Sequence, residues 1–514
     1  MSPAPAGAAP RPPWGPVMQM DVREPPASTR LPPTWGELKA SGYVPVNVKE
    51  EMRRNLLAAL RQGMNVFPGI LGYDETVLPH LQNAILAQHD ILFLGLRGQA
   101  KTRLARLLVN LLDEHAPAVA GCPLRSSPWA PLTKFAREQL ARLREATPIE
   151  WIPRAQRYQE KLATPDVSIA DLIGDVDPIK AVARKLELAD EDVLHYGIIP
   201  RSNRGIFCIN ELPDLQARIQ VGLLNIMEER DVQIRGFPIR MALDLAIVYT
   251  ANPEDYTNRG NIITPLKDRI DAQILTHYPE RLEVGMAITA QEAWTERPGA
   301  PRVQLAPLLK ELVERVAMEA RQSEYVDKGS GVSARMPISL LETIVSAAER
   351  RAVLHGEAQT WGRVHDFFTG VPAISGKVEL IYKGEQEGTG NVAVHLIGRA
   401  VRAMFNSRVV PNWRPDREPK HDFPEFKPVV EWFERGRQLD LGDSLSHVEY
   451  IRRLRSVDQL EPVARRTLGV QEPEMVPLAM EFVLEGLHQN FLLSKRLLGS
   501  RVVYTDSLST MMGD

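Results

Sequence analysis

Ile91-Leu92-Phe93-Leu94-Gly95-Leu96-Arg97-Gly98-Gln99-Ala100-Lys101-Thr102 is the stretch on which the reading of this chain turns. Four apolar residues in a row predict a short strand buried on both faces. The run enters a glycine-bearing loop, and Thr102 to Leu112 then carries helical spacing. A loop between a strand and a helix N-terminus directs backbone N–H groups at an anion. Glycines let the backbone curl close to phosphate oxygens, so Gly95, Arg97, Gly98, Gln99 and Ala100 are read as a phosphate cradle. Lys101 would neutralise β- and γ-phosphate charge, and the Thr102 hydroxyl would bind Mg2+. Ala100 stands where the usual pattern has a glycine before the lysine. Its methyl group is tolerable if the local φ is negative.

Outward from this loop, Val48 to Gly63 and Val77 to Gln88 predict helices, the second with Leu78, Leu81, Ile85 and Leu86 on one face. Apolar runs recur at Ile206 to Ile209 and Leu245 to Val248, each entering polar residues. Such alternation predicts an α/β fold, a parallel sheet covered by helices. The run before Asn210-Glu211 matches the Walker B strand, which usually ends in Asp-Glu. Glu211 can act as general base on a polarised water. Asn210 can accept a hydrogen bond from a metal-bound water but brings no charge, so Mg2+ should bind more weakly or lean on the nucleotide's phosphates. Taken alone, Asn210-Glu211 also reads as a polar strand end.

The next strand delivers Ala251-Asn252-Pro253, placing Asn252 like a sensor that orients water or feels the γ-phosphate; Asn-Pro also favours a turn. Arg269, closing Pro265-Leu266-Lys267-Asp268-Arg269, stands where ring ATPases present a finger to the neighbouring subunit. A surface ion pair with Asp268 or Asp271 is its plainer reading. Arg335, in Ser333-Ala334-Arg335, is placed like a second sensor, though an arginine near a helix start is commonplace.

Composition fits these readings. With 62 Lys plus Arg against 65 Asp plus Glu, the 514-residue chain lacks the basic excess of a dedicated nucleic-acid binder. Two cysteines, Cys122 and Cys208, make neither a disulfide framework nor a cysteine zinc site, which fits a reducing compartment. The sequence carries no secretory signal and no long apolar run, and a cytoplasmic location is expected. Ten of the 40 prolines fall in the first 33 residues, so 1–34 is expected to be a disordered arm. An α/β nucleotide-binding domain over 35–284 and a helical lid over 285–375 are expected to follow. A mainly helical extension over 376–514, with a linker near 411–428, completes the expected order. In that second half Leu305 to Val316, Ile338 to Ala348, Val392 to Phe405, Val448 to Arg455 and Val476 to Lys495 read as helices. Strands are expected to stop after Pro279, apart from Lys377 to Lys383.

From about Pro68 to Arg351 the chain resembles the AAA+ clade that contains the magnesium chelatase small ATPase subunit and the MoxR proteins. The phosphate loop, Ala120-Gly121-Cys122-Pro123-Leu124 with Asp171 to Ala181, Arg201-Ser202-Asn203-Arg204-Gly205 running into Ile209-Asn210-Glu211, Thr250 to Glu254, and Ser333-Ala334-Arg335 carry the likeness. Asn203 to Leu212 is its most specific block, followed by Gly222 to Arg240 with a hairpin turning at Gly236-Phe237-Pro238. The resemblance implies a P-loop AAA+ sheet sandwiched by helices, followed by a helical lid. It implies ATP and Mg2+ as cofactors and assembly into a hexameric homo-oligomeric ring. Remodelling of a partner protein bearing a von Willebrand factor A domain is also implied. A weakly hydrolysing ATP-gated scaffold is the alternative. A transcription activator is the remoter one, because no Gly-Ala-Phe-Thr-Gly-Ala loop lies between Thr102 and Asn210.

Overall fold

In the computed structural model the apolar runs become strands whose successive side chains feed two different cores. Residues 31–177, 179, 191–229, 231–234, 240–253, 261–414, 423–442, 444–498 and 501–507 are described. The arm before residue 31, the Gly236-Phe237-Pro238 turn, Glu254 and residues 415–422 of the expected linker lie outside them. Ile91–Leu94 (β1), Tyr158–Leu162 (β2), Gly205–Asn210 (β3), Leu245–Ala251 (β4) and Ala272–Leu275 (β5) form a sheet in the order β5-β1-β4-β3-β2. Every pairing in it is parallel.

Ile91, Phe93, Ile206, Cys208, Ala246 and Val248 face one core, together with the helices Val48–Gln62 (α1), Val77–Leu86 (α2) and Lys101–Leu107 (α3). Leu92, Phe207, Ile209, Leu245, Ile247 and Tyr249 face the other, against helix Ala217–Glu229 (α4). Alternation of side chains along a strand is what makes both faces apolar, and it explains why the central strands read as unbroken apolar runs. The expected α/β fold, a parallel sheet between helices, is thus the fold of this part of the chain.

Local signals set the ends of the elements. Asn47 caps α1 by accepting Glu50 N at 2.8 Å, and Gly63 closes that helix at φ 64. The helix expected from Thr102 to Leu112 is α3 for one part, then a tighter turn over Leu108–Leu111. The expected hairpin pairs Asp231–Gln233 with Arg240–Ala242. A second small hairpin pairs Gly174–Val176 with Leu194–Tyr196.

The chain divides into two units, Met1–His277 and Tyr278–Asp514. In the second, Pro307–Gln322 (α5), Arg335–His355 (α6), Thr389–Val409 (α7), His447–Arg455 (α8) and Val476–Gln489 (α9) surround one core running from Ala306 to Tyr504. Helices expected as a lid and helices expected as a separate extension therefore share a single core. Strands do not stop after Pro279. Leu439–Gly442, Arg501–Asp506 and Leu493–Leu498 form an antiparallel sheet in that order, and Arg302–Gln304 pairs with Gln359–Trp361.

Conversely, Lys377 to Lys383 is not a strand. Its only pairing among the described residues is a single bridge, Val326 to Leu380, and helix Tyr382–Glu387 begins at once. A strand needs a neighbour along its length, and alternating Val378 and Leu380 lack one. The helix expected to reach Lys495 stops at Gln489, because Lys495 belongs to the sheet. Phe423 and Phe426, inside the expected linker, are buried in the core, and Lys427 already starts a helix.

Candidate nucleotide site

The C-terminal edge of the parallel sheet carries the phosphate loop, Asn210, Glu211 and Asn252, as open α/β sheets place their binding crevices. Strand β1 ends in the phosphate loop, whose course is fixed by close packing. A Cβ on Gly95 would overlap the Thr276 hydroxyl and the Gln99 carboxamide. Gln99 is buried, its Oε1 accepts the Thr276 hydroxyl at 2.8 Å, and its carbonyl lies 3.0 Å from the Tyr73 hydroxyl. Gly98 sits at φ 72, in the left-handed region open to glycine. Ala100 does too, at φ 58 and ψ 14, so the expectation of a negative φ there is overturned. An alanine is held where a glycine would rest without strain. Arg97 is exposed at the loop's tip.

Lys101 is 7% exposed, and its ammonium donates to Gly95 O at 2.5 Å, Leu96 O at 2.9 Å and Asn252 Oδ1 at 2.6 Å. Asn252, delivered by β4, turns its other face outward from the lysine. Its Nδ2 donates to Glu211 Oε2 at 2.8 Å. One carboxamide therefore ties the phosphate-loop lysine to the expected base. Glu211 itself lies at φ 55 and ψ 51, just beyond β3, and its backbone N–H donates to Thr250 Oγ1 at 3.1 Å. Strain at a non-glycine position is stored where the surroundings impose it, and such positions gather at functional sites.

On the metal side, Thr102 Oγ1 stands 3.4 Å and Thr250 Oγ1 3.3 Å from Asn210 Oδ1. Hydroxyl and amide oxygens are the hard donors Mg2+ takes, but both are neutral. These residues fit a Mg2+ ion that brings phosphate oxygens as further ligands. No group of three or more His, Cys, Asp or Glu among the described residues could hold an ion without such help.

Glu160 was missed by sequence reading. It lies on β2, in register with Cys208, and its carboxylate receives Arg106 Nε at 3.1 Å, Arg106 Nη2 and the Tyr158 hydroxyl at 3.0 Å. Burial would raise this carboxyl, yet the bonds from Arg106 and Tyr158 hold it below the usual range. Its neighbour Cys208 is pushed up to about 12 by burial. Both cysteines are buried and free. Thr250, Thr276 and Tyr73 were also missed, since hydroxyls that act through packing leave no motif.

Arg269 follows a short helix, Thr264–Asp268, and pairs with neither Asp268 nor Asp271. Its guanidinium donates to Glu228 Oε2 from Nη2 at 2.7 Å and Nε at 3.0 Å, and to Pro265 O at 2.9 Å. Arg204 is 8% exposed with φ 61 and donates to Pro117 O, so it is fixed within the fold. Asn203 is structural as well. It donates to Leu124 O at 2.8 Å and accepts Asp244 N at 3.0 Å, clasping two loops to the head of β3. Arg335, in the second unit, is exposed as the first residue of α6. No helix of the described residues is long and apolar enough to cross a membrane.

No protein-family profile and no curated protein matches the chain. Among solved structures, NtrX from Brucella abortus in complex with ADP is 15% identical, with a TM-score of 0.32 over 58% of this chain and 55% of that one. The chain thus spans about half the length of NtrX. A magnesium chelatase BchI–BchD complex is similar at 21% identity and a TM-score of 0.32, over 62% of this chain and 98% of that one. Likeness of this extent bears on no activity, substrate or partner.

Proposed function

We propose that this chain is an AAA+ ATPase that binds ATP with Mg2+ and hydrolyses it in a homo-oligomeric ring to remodel a partner protein. The observation that carries the reading is the path Lys101–Asn252–Glu211, which joins a phosphate-loop lysine to a carboxylate through one fixed carboxamide. The loop N–H groups and Lys101 would hold the β- and γ-phosphates. Bound Mg2+, held by Thr102 and Asn210 with the phosphates, would neutralise charge developing on the γ-phosphoryl oxygens. Glu211 would take a proton from the attacking water, with Asn252 aligning its carboxylate.

Arg269 is available to act as a finger. Its pair with Glu228 is partly exposed, at 31% and 56%, and such pairs are worth about 0–1 kcal/mol. A neighbouring subunit's nucleotide could recruit it at little cost. Arg335 is proposed as the second sensor. A partner with a von Willebrand factor A domain and a hexameric ring belong to the same proposal and rest on the resemblance of the motifs; a cytoplasmic location is proposed with them from the two unpaired cysteines, which suit a reducing compartment. The uncharged Asn210 favours a second reading, a ring that binds ATP and hydrolyses it slowly.

Mg2+-dependent ATP hydrolysis measured against protein concentration separates the two. Turnover per subunit should rise with concentration, vanish in Lys101→Ala and Glu211→Gln, and fall at least tenfold in Arg269→Ala, whose nucleotide affinity should be unchanged. Retained turnover in Lys101→Ala sinks the phosphate-loop assignment. A wild type that binds ATP and assembles but does not turn over selects the scaffold.

A further inference from the structure

Ala100 keeps a left-handed backbone that strains it, so its surroundings must hold it there. The easiest escape is for the peptide between Gln99 and Ala100 to turn over, which moves φ of Ala100 into the ordinary negative region. One contact opposes that motion directly. The Gln99 carbonyl, which would have to swing away, accepts from the Tyr73 hydroxyl at 3.0 Å. The same hydroxyl reaches His277 O at 2.9 Å, just beyond β5, in a three-centre bond. The Gln99 side chain is anchored on that side as well, by the Thr276 hydroxyl at 2.8 Å. Tyr73 is itself fixed ahead of α2. It is 6% exposed, its carbonyl accepts Thr76 N at 3.2 Å and Leu78 N at 3.0 Å, and its ring meets the His277 ring edge-on at 5.0 Å.

We propose that Tyr73 is a positioning residue for the phosphate loop: by holding the Gln99 carbonyl it keeps the Ala100 N–H turned toward the nucleotide's phosphates. A trans peptide is planar, so its N–H points opposite to its carbonyl, away from Tyr73. Among the described residues that N–H donates to no other group of the protein. Turned over, the peptide would offer the phosphates a carbonyl oxygen in place of a donor, and the cradle of N–H groups would lose one member. The brace also accounts for the alanine. A glycine adopts either sign of φ and would keep the loop's shape with little help, whereas an alanine needs to be held. This inference rests on the phosphate-loop reading above and adds to it a residue from outside the loop.

The test is binding of a fluorescent ATP analogue in EDTA for wild type, Tyr73→Phe, Ala100→Gly and the double variant. Competition by inorganic tripolyphosphate, which has neither base nor sugar, is measured for each, and melting without ligand shows that each is folded at the assay temperature. Tyr73→Phe should weaken both ligands about tenfold, the scale of one hydrogen bond to a charged group. Adding Ala100→Gly should restore most of that loss, because glycine rests at a left-handed φ without a brace. The gain from glycine should therefore be larger in the Tyr73→Phe background than in wild type, a coupling that a merely structural loss would not produce. Unchanged affinity in Tyr73→Phe overturns the proposal, as does a double variant as weak as Tyr73→Phe. A Tyr73→Phe that weakens the analogue but not tripolyphosphate overturns it too, since the hydroxyl would then serve the nucleoside. If wild type binds neither ligand, the phosphate-loop reading has failed and this inference falls with it. If wild type binds both, only the role of Tyr73 is at stake.

Discussion

At the scale of the residue, Ala100 is the clearest case of a side chain at odds with its backbone. Its φ of 58 puts a Cβ against the following carbonyl, a strain of about 1–2 kcal/mol that glycine avoids. Glycine gives back part of that in unfolded-state entropy. Ala100→Gly is therefore expected to stabilise the first unit by about 1 kcal/mol, raising its melting temperature by about 2–4 °C. A melting temperature equal to or below that of wild type would mean that the methyl group makes compensating contacts. The sequence located this position but not its conformation, because a left-handed φ is imposed by the loop's closure on Thr276 and Gln99 and not by the alanine. Lys101, Asn210, Glu211 and Asn252 were legible for the opposite reason: each ends or follows a buried apolar strand. Glu160 was not, since Tyr158–Leu162 is the sheet's outermost strand on that side and its polar Gln-Glu-Lys core breaks the apolar run.

At the scale of the element, the same physics separates what was found from what was not. Strands β1, β3 and β4 are buried on both faces and announce themselves, whereas β2 and β5 edge the sheet and are half polar. In the second unit α9 is buried along nearly its whole surface, so it has no amphipathic stripe, and its helical reading ran on into a strand. What docks that strand hairpin on α9 is Glu485, which accepts Lys495 Nζ and the Tyr504 hydroxyl at 2.7 Å each. Burial alone would raise this carboxyl, but the charges of Lys495 and His488 and the bonds from Lys495 and Gln489 pull it down to about 2. A carboxyl depressed from an ordinary 4.3 contributes stability that is fully present above pH of about 4.3 and is lost as pH falls toward 2, about 3 kcal/mol in all. Glu485→Gln, which mimics the protonated group, should thus be less stable than wild type at neutral pH. The gap should narrow as pH falls below about 4.3 and close only as it passes through about 2. Urea unfolding followed across that range checks it, and parallel pH profiles would show that Glu485 does not carry the acid limb.

At the scale of the whole molecule, the two units Met1–His277 and Tyr278–Asp514 each bury a core of their own. Scanning calorimetry should therefore resolve two transitions, since a single cooperative unit is the habit of single domains only. Nucleotide separates them further. The phosphate loop lies wholly in the first unit, so a non-hydrolysable ATP analogue at a hundred times its Kd should stabilise that unit by about 2.7 kcal/mol, or roughly 5–10 °C. Whether the second transition follows depends on Arg335, the only proposed nucleotide contact that the second unit supplies. With Arg335 acting as a sensor, wild type should raise both transitions in the presence of the analogue, and Arg335→Ala should raise the first alone. Since Arg335 is exposed at the start of α6, its replacement should leave both transitions unmoved without nucleotide. A second transition that rises equally in Arg335→Ala would remove the sensor role. One that stays put even in wild type would place nucleotide recognition in the first unit alone, leaving the second to answer through assembly of the ring.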